Sequence, residues 1–204
     1  MDKREYAEKK SALKKEDSLS VLNEAINFAV IAHLGAVRKG TNRPYILHPL
    51  EAAAIVSTMT DDKNLIAAAV LHDVVEDTEI TIDDITENFG IDISGLVAAE
   101  SEEKREYRPP GDTWKERKLE TVEHLRSTAS IEMKMITLGD KLSNIRAIHY
   151  DYQIHGDELW DRFNQNDKNE HGWYYKAILE ATSDLQYYPA WKEFRQLVML
   201  MFGE

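Results

Sequence analysis

The sequence predicts an all-α protein organised as one domain. No segment alternates apolar and polar residues with period two for long enough to form a convincing strand. Apolar residues instead recur at helical spacing, and capping and turn residues mark the segment ends. With 204 residues and 43% hydrophobic content, the chain can bury one good core.

Residues 1–17, rich in Lys and Glu, read as a charged N-terminal arm or solvated helix, and 18–204 as the domain proper. From Ser18 to about Val37 apolar residues at 22, 25, 26, 29, 30 and 32 predict a helix, with Ser18 or Ser20 as N-cap. The turn residues of Lys39-Gly40-Thr41-Asn42-Arg43-Pro44 predict a loop, and Pro49 suits the first turn of a helix to about Met59. Asp62 can cap the next helix. Thr81-Ile82-Asp83-Asp84 has the capping-box pattern and starts a short helix that Gly90 stops, followed by another at about 92–100. Ser101–Thr113, with Pro109-Pro110-Gly111, is the longest loop and a candidate lid. Further helices are expected at about 114–128, 131–149, 157–164, 171–183 and 189–202.

Composition narrows the function classes. The absence of cysteine excludes a disulfide framework and thiolate metal sites. No apolar run reaches 18 residues, and Met1-Asp2-Lys3-Arg4-Glu5-Tyr6 leads into more charge, so no membrane association is expected and the cytoplasm is the expected location. A formal charge of −12 argues against DNA as a partner, since phosphate backbones need a clustered positive surface. A small anionic substrate fits better, because basic residues cluster locally: Arg38, Lys39 and Arg43, then Lys104, Arg105 and Arg108, then Lys115, Arg117 and Lys118.

The chemistry concentrates in Leu71-His72-Asp73-Val74-Val75-Glu76-Asp77-Thr78. From Leu65 to Val75 the chain is apolar on every side, so a helix there is buried all round and His72 and Asp73 lie in a core. A buried carboxylate without a partner costs several kcal/mol, on the order of the desolvation penalty, so Asp73 must be paired, protonated or bound to a metal. On a continuous helix, 72 and 76 share a face and 73 lies beside 77, while Glu76 and Asp77 near its C-terminus oppose the macrodipole. Asp140 poses the same problem, with Asn144 one turn on, in the apolar segment Ile131–His149. Lys141 or Arg146 offers it an ordinary ion pair. His48, in Pro44-Tyr45-Ile46-Leu47-His48-Pro49, read singly, is a capping or core histidine. His33 reads likewise, and His124, His149, His155 and His171 read as structural or surface residues. Together His48, His72, Asp73 and Asp140 offer two imidazoles and two carboxylates, a set suited to Mn²⁺, Fe²⁺, Zn²⁺ or Mg²⁺.

An early histidine, a His-Asp doublet and a late Asp resemble the pattern of the HD superfamily of metal-dependent phosphohydrolases. Arg38-Lys39 with Pro44–Pro49, His72–Thr78, and Gly139-Asp140-Lys141-Leu142-Ser143-Asn144-Ile145-Arg146 look like the (p)ppGpp hydrolase domain of RelA/SpoT-type proteins and the small alarmone hydrolases. The resemblance spans about residues 20–183. It implies a helical bundle with an active-site cleft, in which His48, His72, Asp73 and Asp140 bind one divalent ion, most often Mn²⁺. Glu76 and Asp77 would orient and deprotonate the attacking water, and Arg38, Lys39 and Asn144 would contact a guanine nucleotide. The implied reaction is hydrolysis of guanosine 3′,5′-bis(diphosphate) at the 3′ position, with hydrolysis and not synthesis expected of this chain; the oligomeric state is left open. Another nucleotide substrate, a non-catalytic nucleotide-binding module and a purely structural helical protein are the alternatives. The last leaves Asp73 and Asp140 unexplained.

Overall fold

The computed structural model describes residues 20–101, 108–127 and 129–203. The expected arm 1–17, Ser18 and residues 102–107 of the candidate lid lie outside these residues. Among the described residues every regular element is helical, apart from one isolated antiparallel bridge between Val37 and Pro44. The α-helices are α1 (Ser20–Ala32), α2 (Leu47–Val56), α3 (Lys63–Leu71), α4 (Val74–Asp77), α5 (Ile82–Phe89), α6 (Ile91–Glu100), α7 (Pro110–Ser127), α8 (Ile131–His155), α9 (Lys168–Ala181) and α10 (Pro189–Phe202). Short 3₁₀ helices span Gly156–Arg162 and Ser183–Leu185.

Several boundaries follow the expected caps. Asp62 accepts from the Asn64 and Leu65 amides, and Thr81 and Asp84 form the reciprocal capping box. Others differ for local reasons. α1 stops at Ala32 because the chain turns through Gly35, whose φ of 82° is outside helical space. Pro110 opens α7, a first-turn position where its missing amide costs nothing, so the helix begins earlier than 114. α8 runs on to His155, with Ser130 capping its start and accepting from the Met133 amide. The 157–164 segment is 3₁₀, and Asp167 caps α9 before the expected start.

The central correction lies at the doublet. Leu65–Val75 is not one helix: α3 ends at Leu71, His72 and Asp73 form a turn, and α4 restarts at Val74. Asp73 has φ −91° and ψ −6°, a turn conformation. Neighbouring residues of a straight helix point about 100° apart, so this turn is what lets His72 and Asp73 aim at one point. It also removes the dipole argument, since Glu76 and Asp77 belong to a four-residue helix rather than the end of a long one.

α3 is the axis of the core, with Leu65 through Leu71 all buried and α1, α2, α6 and α8 packed around it. Burying each of its large aliphatic side chains contributes roughly 1.5–3 kcal/mol, enough to hold an acidic turn in place at its end. α2 and α8 approach especially closely at Gly139. A Cβ there would lie 2.8 Å from both the Ala52 carbonyl oxygen and Val56 Cγ2. Gly139→Ala should therefore destabilise the protein by up to about 2 kcal/mol, an overpacking cost of about 1–3 kcal/mol offset by a helix-propensity gain of about 1 kcal/mol. Urea unfolding measures this, and a stabilised variant would contradict the close packing. The contact has a functional side, because it sets α2's His48 against α8's Asp140.

Candidate metal centre and cleft

Three elements converge. His48 comes from the first turn of α2, His72 and Asp73 from the turn after α3, and Asp140 from the middle of α8. His48 Nε2 lies 3.1 Å from Asp140 Oδ1 and 3.3 Å from Asp73 Oδ2, and His72 Nε2 lies 3.2 Å from that same Asp73 oxygen and 3.8 Å from Asp140 Oδ1. Both histidines and Asp140 are buried, and Asp73 is half-buried. The structure thus brings together all four side chains singled out from the sequence.

The histidine tautomers follow from their other nitrogens. His72 Nδ1 sits 2.7 Å from the Ala69 carbonyl, which can only accept, so Nδ1 carries a proton. The buried Nε2 of His72 is left without a well-formed hydrogen bond. His48 Nδ1 lies 2.9 Å from Ser143 Oγ, whose own proton goes to Glu51 at 2.8 Å, so the imidazole donates here as well. Glu51 is held in turn by Arg146, which also grips Glu193 through two bonds of 2.7 Å. Both Nε2 atoms therefore turn lone pairs toward carboxylate oxygens, an arrangement that a divalent cation satisfies. His48, His72 and Asp140 present ligand atoms within 4.8 Å of one another.

Without a cation, the charges settle among themselves. Burial disfavours charge on His72, yet Asp73 and Asp140 outweigh it and hold its proton affinity well above the ordinary imidazole range. Burial likewise acts against ionising Asp73 and Asp140. The nearby imidazoles, with Lys141 beside Asp140, prevail and keep both well below the usual carboxylate range. Lys141 pairs with Asp140 Oδ2, the ordinary ion pair anticipated from sequence, while Oδ1 stays turned toward the histidines.

A cavity of about 180 Å³ opens on this cluster, and Glu76 and Asp77 line it together with the four convergent side chains. Arg38, Tyr45, Lys141 and Asn144 line it too, and also line an adjoining cavity of about 260 Å³ that contains Lys39. The two form one cleft. Arg38 donates to Asn144 at 2.6 Å, and Asn144 donates to Asp140 Oδ1 at 2.5 Å, so the residues expected to touch nucleotide are tied to the metal centre. Lys39 donates to Asn164 at 2.8 Å at the far side.

Three residues were not singled out from the sequence. The Tyr45 hydroxyl donates to Asp73 Oδ2 at 2.7 Å and lies against Asp77, while its ring packs between His33 and His48 and beneath the Arg38 guanidinium. Glu100 lines the smaller cavity and accepts from Thr137 at 2.6 Å, and burial pushes its carboxyl up to about 7. Ser143 orients His48. The available signal was polar residues on the buried faces of apolar helices, which Glu51, Glu100 and Ser143 share. His33 and His171 are buried, but neither faces the carboxylate cluster as a ligand; His171 Nε2 donates to the Gln165 carbonyl at 2.8 Å and lines the larger cavity.

Comparison with known proteins agrees with this geometry. The chain is 34% identical over 135 residues to the zebrafish (Danio rerio) guanosine-3′,5′-bis(diphosphate) 3′-pyrophosphohydrolase MESH1, covering 65% of this chain and 71% of that protein. Over 134 residues it is 32% identical to the bifunctional (p)ppGpp synthase/hydrolase SpoT of Escherichia coli, 65% of this chain but only 19% of SpoT. Among solved structures, lmo0812 of Listeria monocytogenes superposes with a TM-score of 0.67 at 31% identity, covering 79% of this chain and 97% of that one. A metazoan SpoT ortholog shares the fold with a TM-score of 0.71 at 24% identity, over 93% of this chain and 98% of that one. The HD domain family matches residues 25–161, a stretch that holds more than half of the chain and all four convergent side chains. By that match and the likeness to MESH1, the chain belongs to the HD domain family.

Proposed function

We propose that this protein hydrolyses guanosine 3′,5′-bis(diphosphate) at the 3′ position, releasing pyrophosphate and GDP, and the corresponding pentaphosphate to GTP, in the cytoplasm. The observation that carries the reading is one cleft joining the four-residue centre, the Glu76–Asp77 pair and a cationic nucleotide-sized cavity. Relatives named for this reaction on this nucleotide support the substrate.

His48, His72, Asp73 and Asp140 hold one divalent ion in this reading, Mn²⁺ by preference. Such an ion supplies Lewis acidity toward a phosphoryl oxygen and acidifies water. Glu76 and Asp77 orient the attacking water and accept its proton, with the Tyr45 hydroxyl restraining Asp77. Water oxygen bonds to the phosphorus next to the ribose, the bond from that phosphorus to the ribose 3′ oxygen breaks, and the 3′ oxygen takes a proton. Lys141 and Arg38, at the junction of the two cavities, offset charge on the phosphoryl oxygens. Arg38, Lys39 and Asn144 position the nucleotide.

Incubation with ppGpp and Mn²⁺ should yield pyrophosphate and GDP in equal amounts, read by ion-exchange chromatography. Orthophosphate alone would place attack on the terminal phosphoryl group and overturn the assignment.

A further inference from the structure

The inner end of the cleft is accounted for by the reaction, whereas its outer end contains charged groups that the reaction leaves without a role. Asp151 lies on α8, roughly three turns beyond Asp140, so that at 3.6 residues per turn both carboxylates stand on the same helix face, about 16 Å apart along the axis at 1.5 Å per residue. Asn144 stands on that face between them. Asp151 is buried, and both of its oxygens are engaged by arginines: Oδ1 accepts from Arg43 Nη2 at 2.6 Å and Oδ2 from Arg162 Nη1 at 3.1 Å.

These two arginines come from opposite parts of the chain, the 38–44 loop and the 3₁₀ helix at Gly156–Arg162. The loop lies directly on Arg162. A Cβ on Gly40, which has a φ of 71°, would be 2.5 Å from Arg162 Cδ. The guanidinium is thus fixed by a carboxylate and by backbone packing, while Arg43 remains half-exposed. Both line the larger cavity, and the trio carries a net positive charge in a chain of formal charge −12. Each oxygen of this buried acid already accepts from an arginine. Its effect is to hold two guanidiniums in place before an anion arrives, which lowers the ordering cost of binding.

We propose that Arg43 and Arg162, braced by Asp151, form the subsite for the substrate's 5′ phosphate groups, so that α8 spaces two anion sites along one face and selects a nucleotide phosphorylated at both ends of its ribose. This rests on the hydrolase reading above and adds a specificity determinant to it. A nucleotide with only one phosphorylated end fills one site. The arginines act on binding, and the Asp151 that braces them lies about three helical turns along α8 from Asp140, so their loss should appear in KM rather than kcat.

The test compares ppGpp with guanosine bearing a 3′ diphosphate and a free 5′ hydroxyl, in wild type, Arg162→Gln and Arg43→Gln. Each variant should raise KM for ppGpp about tenfold with kcat within about twofold, and leave KM for the 5′-hydroxyl compound unchanged. Calorimetry on metal-free protein should show the same loss in Kd for ppGpp alone. Arg43 is half-exposed, so its variant keeps the test informative if Arg162→Gln folds poorly. Turnover of ppGpp with unchanged KM in a folded variant overturns the subsite, as does an equal loss for the 5′-hydroxyl compound. Absence of any ppGpp turnover in wild type overturns the hydrolase reading instead, and the calorimetric comparison then decides the subsite by itself.

Discussion

Asp140→Ala and His72→Ala are each expected to abolish divalent-ion retention and ppGpp hydrolysis together. Wild-type protein should hold about one ion per chain, or recover activity when Mn²⁺ is restored after chelation. The reason is local. His72 has one nitrogen committed to the Ala69 carbonyl, so its Nε2 has no other task than the cluster, and Asp140 Oδ1 is the carboxylate oxygen nearest His48 Nε2. Taking away either group leaves the remaining ligands with fewer donors and an uncompensated buried charge. Metal content by elemental analysis and thermal unfolding with and without Mn²⁺ read the effect separately from activity. At 100-fold Mn²⁺ over Kd the wild type should gain about 2.7 kcal/mol and the variants nothing. Full activity in excess chelator, with no metal detectable, would sink the centre.

The second large effect separates chemistry from binding. Asp77→Asn is nearly isosteric and cannot accept a proton, so kcat should fall by about 10²–10⁴, the usual contribution of general-base catalysis, with metal content and nucleotide Kd near wild type. Glu76→Gln tests the other member of the pair. Both line the cavity over the candidate metal centre, and Tyr45 places its hydroxyl between Asp73 and Asp77, which ties the proposed base to a proposed ligand. A purely structural carboxylate predicts a small change in stability and no change in turnover. The break after Leu71 sharpens the contrast: with no long helix ending at these acids, neutralising them relieves no sizeable macrodipole strain. If kcat is unchanged in both variants, the pair has no part in activating water.

Much of the frame was legible locally. The caps at Asp62 and Thr81, the stop at Gly90 and the proline start of α10 are short-range chemistry, and each falls at or near the position its residues specify. The shifts at α1, α7 and α9 are local as well, whereas the break after Leu71 depends on longer-range packing. Nothing within Leu65–Val75 marks a break, because every residue from 65 to 71 is apolar and helix-compatible; the turn is set by where His72 and Asp73 must point once α2 and α8 are alongside.

The same division holds for the site. The sequence by itself determined the all-α class, the identity of the two histidines and two aspartates, and the presence of Glu76 and Asp77 beside them, because a charge in an apolar helix announces its need for a partner wherever the helix goes. The tertiary structure alone decided that Gly139 lets α2 close on α8, that Tyr45, Ser143 and Glu51 hold Asp73 and His48 in place, and that Arg43 and Arg162 meet on Asp151. Those contacts join residues 11 to 108 positions apart. Local propensity acts over a few residues and carries no information at that range; only the packing of helices against one another fixes which distant side chains share a cavity.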